Sequence, residues 1–244
     1  MHRFFIPKPF KQEMQITGQD AHHIMDVLRM GPGDPLQVVA DDGISFLGKI
    51  TAVSTNTVTV LAQEILRESH EPDVRISLLQ GLAKGEKMEL IIQKSVEIGV
   101  AEIFPLAMDH SVVVLDRSKA GKKTERWQKI AEAAAKQSKR DMIPAVHEVM
   151  KLSQVLQEEE WDLLVIAYES ENRISLKEVL QAHKNAKSIG VIIGPEGGLS
   201  NEEVKVAQDA DGIAVSLGRR ILRTETAGLV AATAILYETD NLGI

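Results

Sequence analysis

The rhythm of apolar positions changes once along the chain. Up to about Pro72, apolar residues come in short runs separated by polar turns. Phe4-Phe5-Ile6 is stopped by Pro7 and Pro9. Ala21, Ile24, Val27 and Leu28 recur at helical spacing, with Thr17 or Asp20 to cap the start and Gly31-Pro32 to end it. LQVVAD, ISFLGKITAV and TVTVLAQEIL follow as strands, parted by Asp41-Asp42-Gly43 and Ser54-Thr55-Asn56. Short antiparallel strands with one small helix predict a compact β-barrel. The polar stretch ESHEPD, Glu68 to Asp73, is the expected linker, which sets domains of 1–72 and 73–244.

Beyond the linker, continuous apolar strands alternate with amphipathic helices. VRISLLQGLA reads as a buried strand and EKMELIIQKSVEIG as a helix stopped by Gly99. EIFPLAM, a long basic helix through ERWQKIAEAAAKQSK, IPAVHEV, LSQVLQ and WDLLVIAYE continue the alternation. SLKEVLQAH then precedes SIGVIIGPEGG, and Ser200 with Glu203 forms a capping box. GIAVSLG is the last strand and ETAGLVAATAILYE the last helix. The pattern predicts an α/β fold whose mostly parallel sheet is covered on both faces.

Composition narrows the chemistry. The 244 residues are 44% hydrophobic but only 4% aromatic, so the core is aliphatic. With no cysteine, disulfides, thiolate metal sites and cysteine nucleophiles are excluded. The seven histidines show no ligand spacing, so no metal is expected. The opening MHRFFIPKPF lacks an apolar signal core, and no apolar run approaches the ~20 residues of a membrane span. A cytoplasmic location is expected. The formal charge of −7 hides an asymmetry: Arg117 to Arg140 holds nine basic and two acidic residues. Local fields attract phosphates, although a solvated helix face has the same composition.

Two glycine-rich turns carry the most information. In VIIGPEGGLSNEE an apolar strand runs into Gly-Pro-Glu-Gly-Gly and a capped helix. In a parallel sheet, ligands collect at the carboxyl ends of strands, and glycine lets backbone approach them. The turn is neither a Walker loop nor G-x-G-x-x-G, and a tight strand-to-helix connection has the same residues. In AVSLGRRILRTETAGL, Arg219, Arg220 and Arg223 follow a strand that ends at Gly218. That charge density in a loop suits anion handling.

IGPEGGLSNEE, SLGRRILRTETA and EAAAKQSKR on one chain resemble the bacterial 16S ribosomal RNA uridine-N3 methyltransferases of the SPOUT class, the knotted methyltransferases. RFFIP and HHIMDVLRMGPGD resemble that family's PUA-like RNA-binding domain, so the likeness spans essentially the whole chain. The resemblance implies a C-terminal trefoil knot, a homodimer, and S-adenosyl-L-methionine held between three loops. Its cofactor residues here are Ala167, Tyr168 and Glu169; Ile193, Gly194, Pro195, Gly197 and Gly198; and Leu217, Gly218, Ile221, Leu222 and Thr226. Contact through main-chain groups accounts for the small and aliphatic types.

A sulfonium methyl is already activated, so what remains is to align the nucleophile and stabilise its charge. Arg220 and Arg223 are the candidates for stabilising a uracil N3 anion. Glu225 either accepts a proton, orients an arginine, or merely complements the helix N-terminus. N3 lies on the pairing edge, so the base must be unpaired or flipped. The RNA, as 16S rRNA or an assembled small subunit, is expected on Lys136, Gln137 and Arg140, and on Arg3, His23 and Arg29. Methylation of another RNA target such as a ribose 2′-hydroxyl, a non-catalytic RNA adaptor, and a nucleotide-binding metabolic enzyme acting on a small molecule are the competing readings.

Overall fold

The computed structural model describes residues 1–67, 69–113 and 115–242, without the side chains of residues 117 and 118. Glu68, in the expected linker, lies outside the described residues, as does the side chain of Arg117 in the basic stretch. The chain divides into two compact units: Met1–Glu71 with Ala135–Ile143, and Pro72–Ala134 with Pro144–Ile244.

The first unit is a five-stranded sheet in the order β1-β3-β4-β5-β2. Its strands are β1 (Arg3–Ile6), β2 (Glu13–Thr17), β3 (Pro35–Ala40), β4 (Ser45–Ser54) and β5 (Thr57–Leu66). β1 runs parallel to β3; the remaining pairs are antiparallel. The short strand β2 has no counterpart in the sequence reading. Met14 and Ile16 alternate inward, but only two apolar residues among five mark it. Phe4, Leu36, Val38, Phe46, Ile50, Val58 and Val60 join them in a largely aliphatic core.

The single helix departs from expectation. α1 (Gly18–His22) continues as a π-helical turn, His23–Val27. The Leu28 amide donates to the carbonyl of His23, five residues back. That wider turn rotates the stripe: Ala21 and Ile24 are buried, Leu28 packs on the core, and Val27 is left 67% exposed. Thr17 occupies the N-cap position without a side-chain hydrogen bond. Asp20 instead receives Lys136 at 2.8 Å.

The second unit is a six-stranded sheet in the order β11-β9-β10-β6-β7-β8, parallel at every pair. In chain order it comprises β6 (Arg75–Gly81), α2 (Lys87–Ile98), β7 (Glu102–Leu106), α3 (Arg117–Gln137), β8 (Ala145–Val146) and α4 (Leu152–Glu158). β9 (Leu163–Ala167), α5 (Leu176–Ala182), β10 (Ser188–Ile193), α6 (Asn201–Asp209), β11 (Ile213–Val215) and α7 (Thr224–Glu238) complete it. α3 crosses the division between the units, which falls at Ala135.

The strand period of two sorts the core between the faces. Leu79, Phe104, Ile166 and Ile192 pack with Leu152 and Val155 of α4 and Ala207 of α6. Leu78 and Ile193 point the other way, toward Gly228 of α7. α7 lies across β6 and β10, packed by α2 and α5. A side chain at Gly228 would crowd Leu78 at 3.2 Å, so glycine lets this helix seat closely.

Candidate active site at the sheet edge

β9, β10 and β11 are neighbours and parallel, so their carboxyl ends open on one edge of the sheet. Three loops far apart in sequence meet there, as ligand-binding loops do in open parallel sheets. They enclose a cavity of about 370 Å³ and, beside it, one of about 120 Å³.

Most of the residues predicted for the cofactor line these cavities. Ala167, Tyr168 and Glu169 form a wall shared by both. Ile193, Gly194, Pro195 and Gly198 line the larger; Leu217 and Gly218 line the smaller; Ile221 and Leu222 line both. Gly197 and Thr226 are not in the lining. Gly197 sits against His110, where a side chain would come within 2.7 Å of the histidine Cβ. Thr226 is exposed in the first turn of α7, where its amide donates to the Arg223 carbonyl.

The glycine turn closes on itself. The Gly198 amide donates to the Pro195 carbonyl at 3.0 Å, with Gly198 at φ +74°. A Cβ on Gly194 would lie 2.9 Å from the Gly198 carbonyl carbon, so the turn folds back onto its own start. α6 then begins with the predicted capping box. Ser200 accepts from the Glu203 amide at 3.2 Å, and Glu203 accepts from the Ser200 amide at 2.9 Å.

The arginines stand at the rim. Arg219 and Arg220 line the smaller cavity and Arg223 the larger. All three are exposed, Arg223 by 82% at its side chain. Its guanidinium lies 3.9 Å from the Glu225 carboxylate. Glu225 itself is held below the ordinary carboxylate range, first by its own backbone N–H at the helix start and then by Lys87 and Arg223. It is an anchored anion and a weak proton acceptor.

Sequence reading gave no role at this site to several residues, among them Lys87, Glu196, Thr224 and Gln80. Lys87 and Glu196 line the larger cavity and pair at 3.1 Å. Burial raises the Glu196 carboxyl, but the Lys84 amide and Lys87 outweigh it and leave it low. Lys87 is raised by its bond to Glu196. A lysine in the first turn of a helix opposes the dipole, and that was the available signal. Thr224 donates to the Gly194 carbonyl at 2.7 Å and accepts from Gln80 at 2.9 Å. Thr224 lies within the SLGRRILRTETA motif, but nothing in sequence marks its bond to Gln80.

The expected RNA anchors divide. His23, Arg29 and Gln137 are exposed. Arg3 and Arg140 are not available to a phosphate, and this corrects the sequence reading. Arg3 is 5% exposed, paired with Asp141 at 2.9 Å and donating to the carbonyls of Lys139 and Arg140. Arg140 is 3% exposed, with its guanidinium on Glu71. Lys136 is engaged too, with its ammonium on Asp20. Clustered charge in sequence did not distinguish a solvated face from cations that brace the first unit.

Among the described residues, no group of three or more His, Asp or Glu is placed to hold a metal ion. None of the helices among them is long and apolar enough to cross a membrane.

Comparison with known proteins agrees with this architecture. The family described as RNA methyltransferase domain matches residues 70–236, and that described as RNA methyltransferase PUA domain matches residues 16–63. The chain is 39% identical to ribosomal RNA small subunit methyltransferase E of Bacillus subtilis, over 99% of this chain and 98% of that one. The crystal structure of the protein of that name from Neisseria gonorrhoeae, bound to S-adenosyl methionine, is 30% identical. It covers 97% of both chains with a TM-score of 0.84. A putative methyltransferase from Legionella pneumophila, in complex with the same cofactor, is 31% identical over 96% of both chains, with a TM-score of 0.84. With a small PUA-like domain followed in the chain by a parallel α/β domain, and matches at this level along its whole length, the chain belongs to the ribosomal RNA small subunit methyltransferase E family.

Proposed function

We propose that this protein transfers a methyl group from S-adenosyl-L-methionine to N3 of a uridine in 16S ribosomal RNA. The observation that carries the reading is the convergence of the loops after β9, β10 and β11 on two adjoining cavities, the larger lined by Arg223 and the smaller by Arg220. The volume of the larger falls in the ~300–1,000 Å³ range of small-molecule sites.

The donor set suits that cofactor. Ile193, Leu199 and Leu222 offer apolar walls for a purine, and the glycine turn offers main-chain groups. Glu169, in the lining of both cavities, offers an exposed carboxylate that would suit the positive charges of such a ligand. When bound, the cofactor supplies a methyl group already activated on sulfonium sulfur. Arg220 and Arg223 stay charged at any working pH and stabilise negative charge developing on the uracil ring. Glu225 restrains Arg223 rather than taking the N3 proton.

His23, Arg29 and Gln137 remain the RNA-facing candidates, on free 16S rRNA or an assembled small subunit. A homodimer rests on α7. Its outward positions Val230 and Tyr237 are 38% and 71% exposed, while Ala231, Ala232, Ile235 and Leu236 are buried inward. A helix apolar on both faces calls for a cover on the second. Cytoplasmic residence follows from the substrate.

The test is a nucleoside mass map of 16S rRNA from cells with and without the gene. One N3-methyluridine disappears on deletion and returns with the wild-type gene. An unchanged map overturns the reading, and loss of a ribose-methylated nucleoside instead favours the 2′-hydroxyl alternative.

A further inference from the structure

We propose that Lys87 is a positioning residue for methyl transfer, clasping Glu196 of the glycine turn to Glu225 of α7 and so fixing the start of α7 beside the cavity. The inference rests on the functional reading above and deepens it.

The geometry is a three-way junction. Lys87 Nζ lies 3.1 Å from Glu196 Oε1 and 3.3 Å from Glu225 Oε2. Those residues belong to α2, to the turn after β10 and to the first turn of α7. Glu196 Oε1 is also met by the Lys84 amide at 3.0 Å, so the loop before α2 shares the junction. Glu225 Oε2 is buried and meets no hydrogen bond of good geometry; the ion pair with Lys87 is what answers its charge. The other oxygen of Glu225 faces Arg223 at 3.9 Å.

One ammonium thus holds two carboxylates that would otherwise repel each other. Its removal strands a buried charge, which is costly. Glu225 then turns to Arg223, the cation left within reach, and draws it from the cavity rim. Without Lys87, Glu196 of the turn is still held by the Lys84 amide, whereas Glu225 loses its partner. The loss of Lys87 therefore falls on the transfer step more than on cofactor affinity. Protonating either carboxylate relieves the repulsion without Lys87, so the defect is pH-dependent.

The test compares wild-type, K87R, K87M and K87M/E196Q proteins. Single-turnover methyl transfer to small-subunit particles, S-adenosylhomocysteine affinity by calorimetry, and melting curves are measured. K87M is expected to slow transfer about tenfold or more, with affinity held within about threefold. K87R and K87M/E196Q recover most of the rate, and the K87M deficit narrows only as the pH falls toward the carboxylate range near about 4.3. The inference is overturned by K87M transferring at the wild-type rate. It is equally overturned by a deficit that neither K87R, E196Q nor pH relieves, or by a K87M protein without a cooperative melting transition. Wild-type protein that transfers no methyl group overturns the functional reading and this inference together.

Discussion

The hydroxyl of Thr224 donates to the carbonyl of Gly194 at 2.7 Å. These residues are the first of α7 and the first after β10, and the bond ties the returning helix to the glycine turn. Gln80, at the end of β6 and fully buried, donates to the same hydroxyl at 2.9 Å. A side chain on the adjacent Gly81 would come within 2.5 Å of the Pro195 nitrogen, so β6 also grips the turn from beneath. A strand, a turn and a helix start thus share one hydroxyl, and the turn and the helix start line the cavity.

Thr224→Val keeps the shape and removes both bonds. The buried Gln80 amide and Gly194 carbonyl lose a partner, which costs about 1–3 kcal/mol. Denaturant unfolding should show that loss. Calorimetry should show weaker binding of S-adenosylhomocysteine, because the turn that offers main-chain groups is no longer held.

Arg223 should behave in the opposite way. Its side chain is 82% exposed and packs against little, so Arg223→Ala leaves the melting temperature unchanged. Losing one preorganised donor typically costs ~10²–10³-fold in kcat. Arg223→Lys should recover little, since the planar fork is lost. A full wild-type rate in Arg223→Ala would remove this residue from the catalytic set.

Acid stability should depend on Glu102, which is 5% exposed near the far edge of the second sheet. It accepts from Ser77 at 2.7 Å, pairs with Arg75 at 2.9 Å and meets His147 at 3.0 Å. Burial raises its carboxyl, but His147, Ser77 and Arg75 outweigh that and leave it low. A lowered folded pKa stabilises fully above the unfolded value of about 4.3 and loses that contribution as pH falls through the folded pKa. Glu102→Gln should lower the melting temperature at neutral pH. Below about pH 4 the gap to wild type should close.

Salt dependence of RNA binding should follow the exposed part of α3. Lys122 and Lys129 are exposed, whereas Lys136 and Arg140 are held by Asp20 and Glu71. Charge reversal at Lys122 and Lys129 should weaken RNA binding and flatten its salt slope, because phosphate contacts release counterions. Arg140→Glu should instead unfold the first unit, since it faces Glu71 with like charge in a buried place. Filter binding across a salt series and thermal melts separate the two effects.

Much of the site was legible because it is local. VIIGPEGG and SLGRRILR each carry a strand end, a glycine and a loop within a dozen residues. The structure places Gly194, Gly198 and Gly218 in the cavity lining. The capping box of Ser200 and Glu203 is likewise a three-residue relation. Val27 was misplaced because a π-helical turn shifts the phase of the stripe, and no residue type announces such a turn.

The sequence by itself determined the alternation of strands and helices, the aliphatic core and the two glycine-rich turns, all of which arise from neighbours in the chain. It also carried the motifs that mark the family. Only the tertiary structure decided which charges are free. Arg3, Lys136 and Arg140 look like phosphate anchors until Asp141, Asp20 and Glu71 are brought to them from distant positions. Lys87, marked in sequence only as a cation in the first turn of a helix, becomes the junction of three elements because β10 lies beside β6 and α7 returns across both. A charge has no role until its partners are placed, and long-range packing places them.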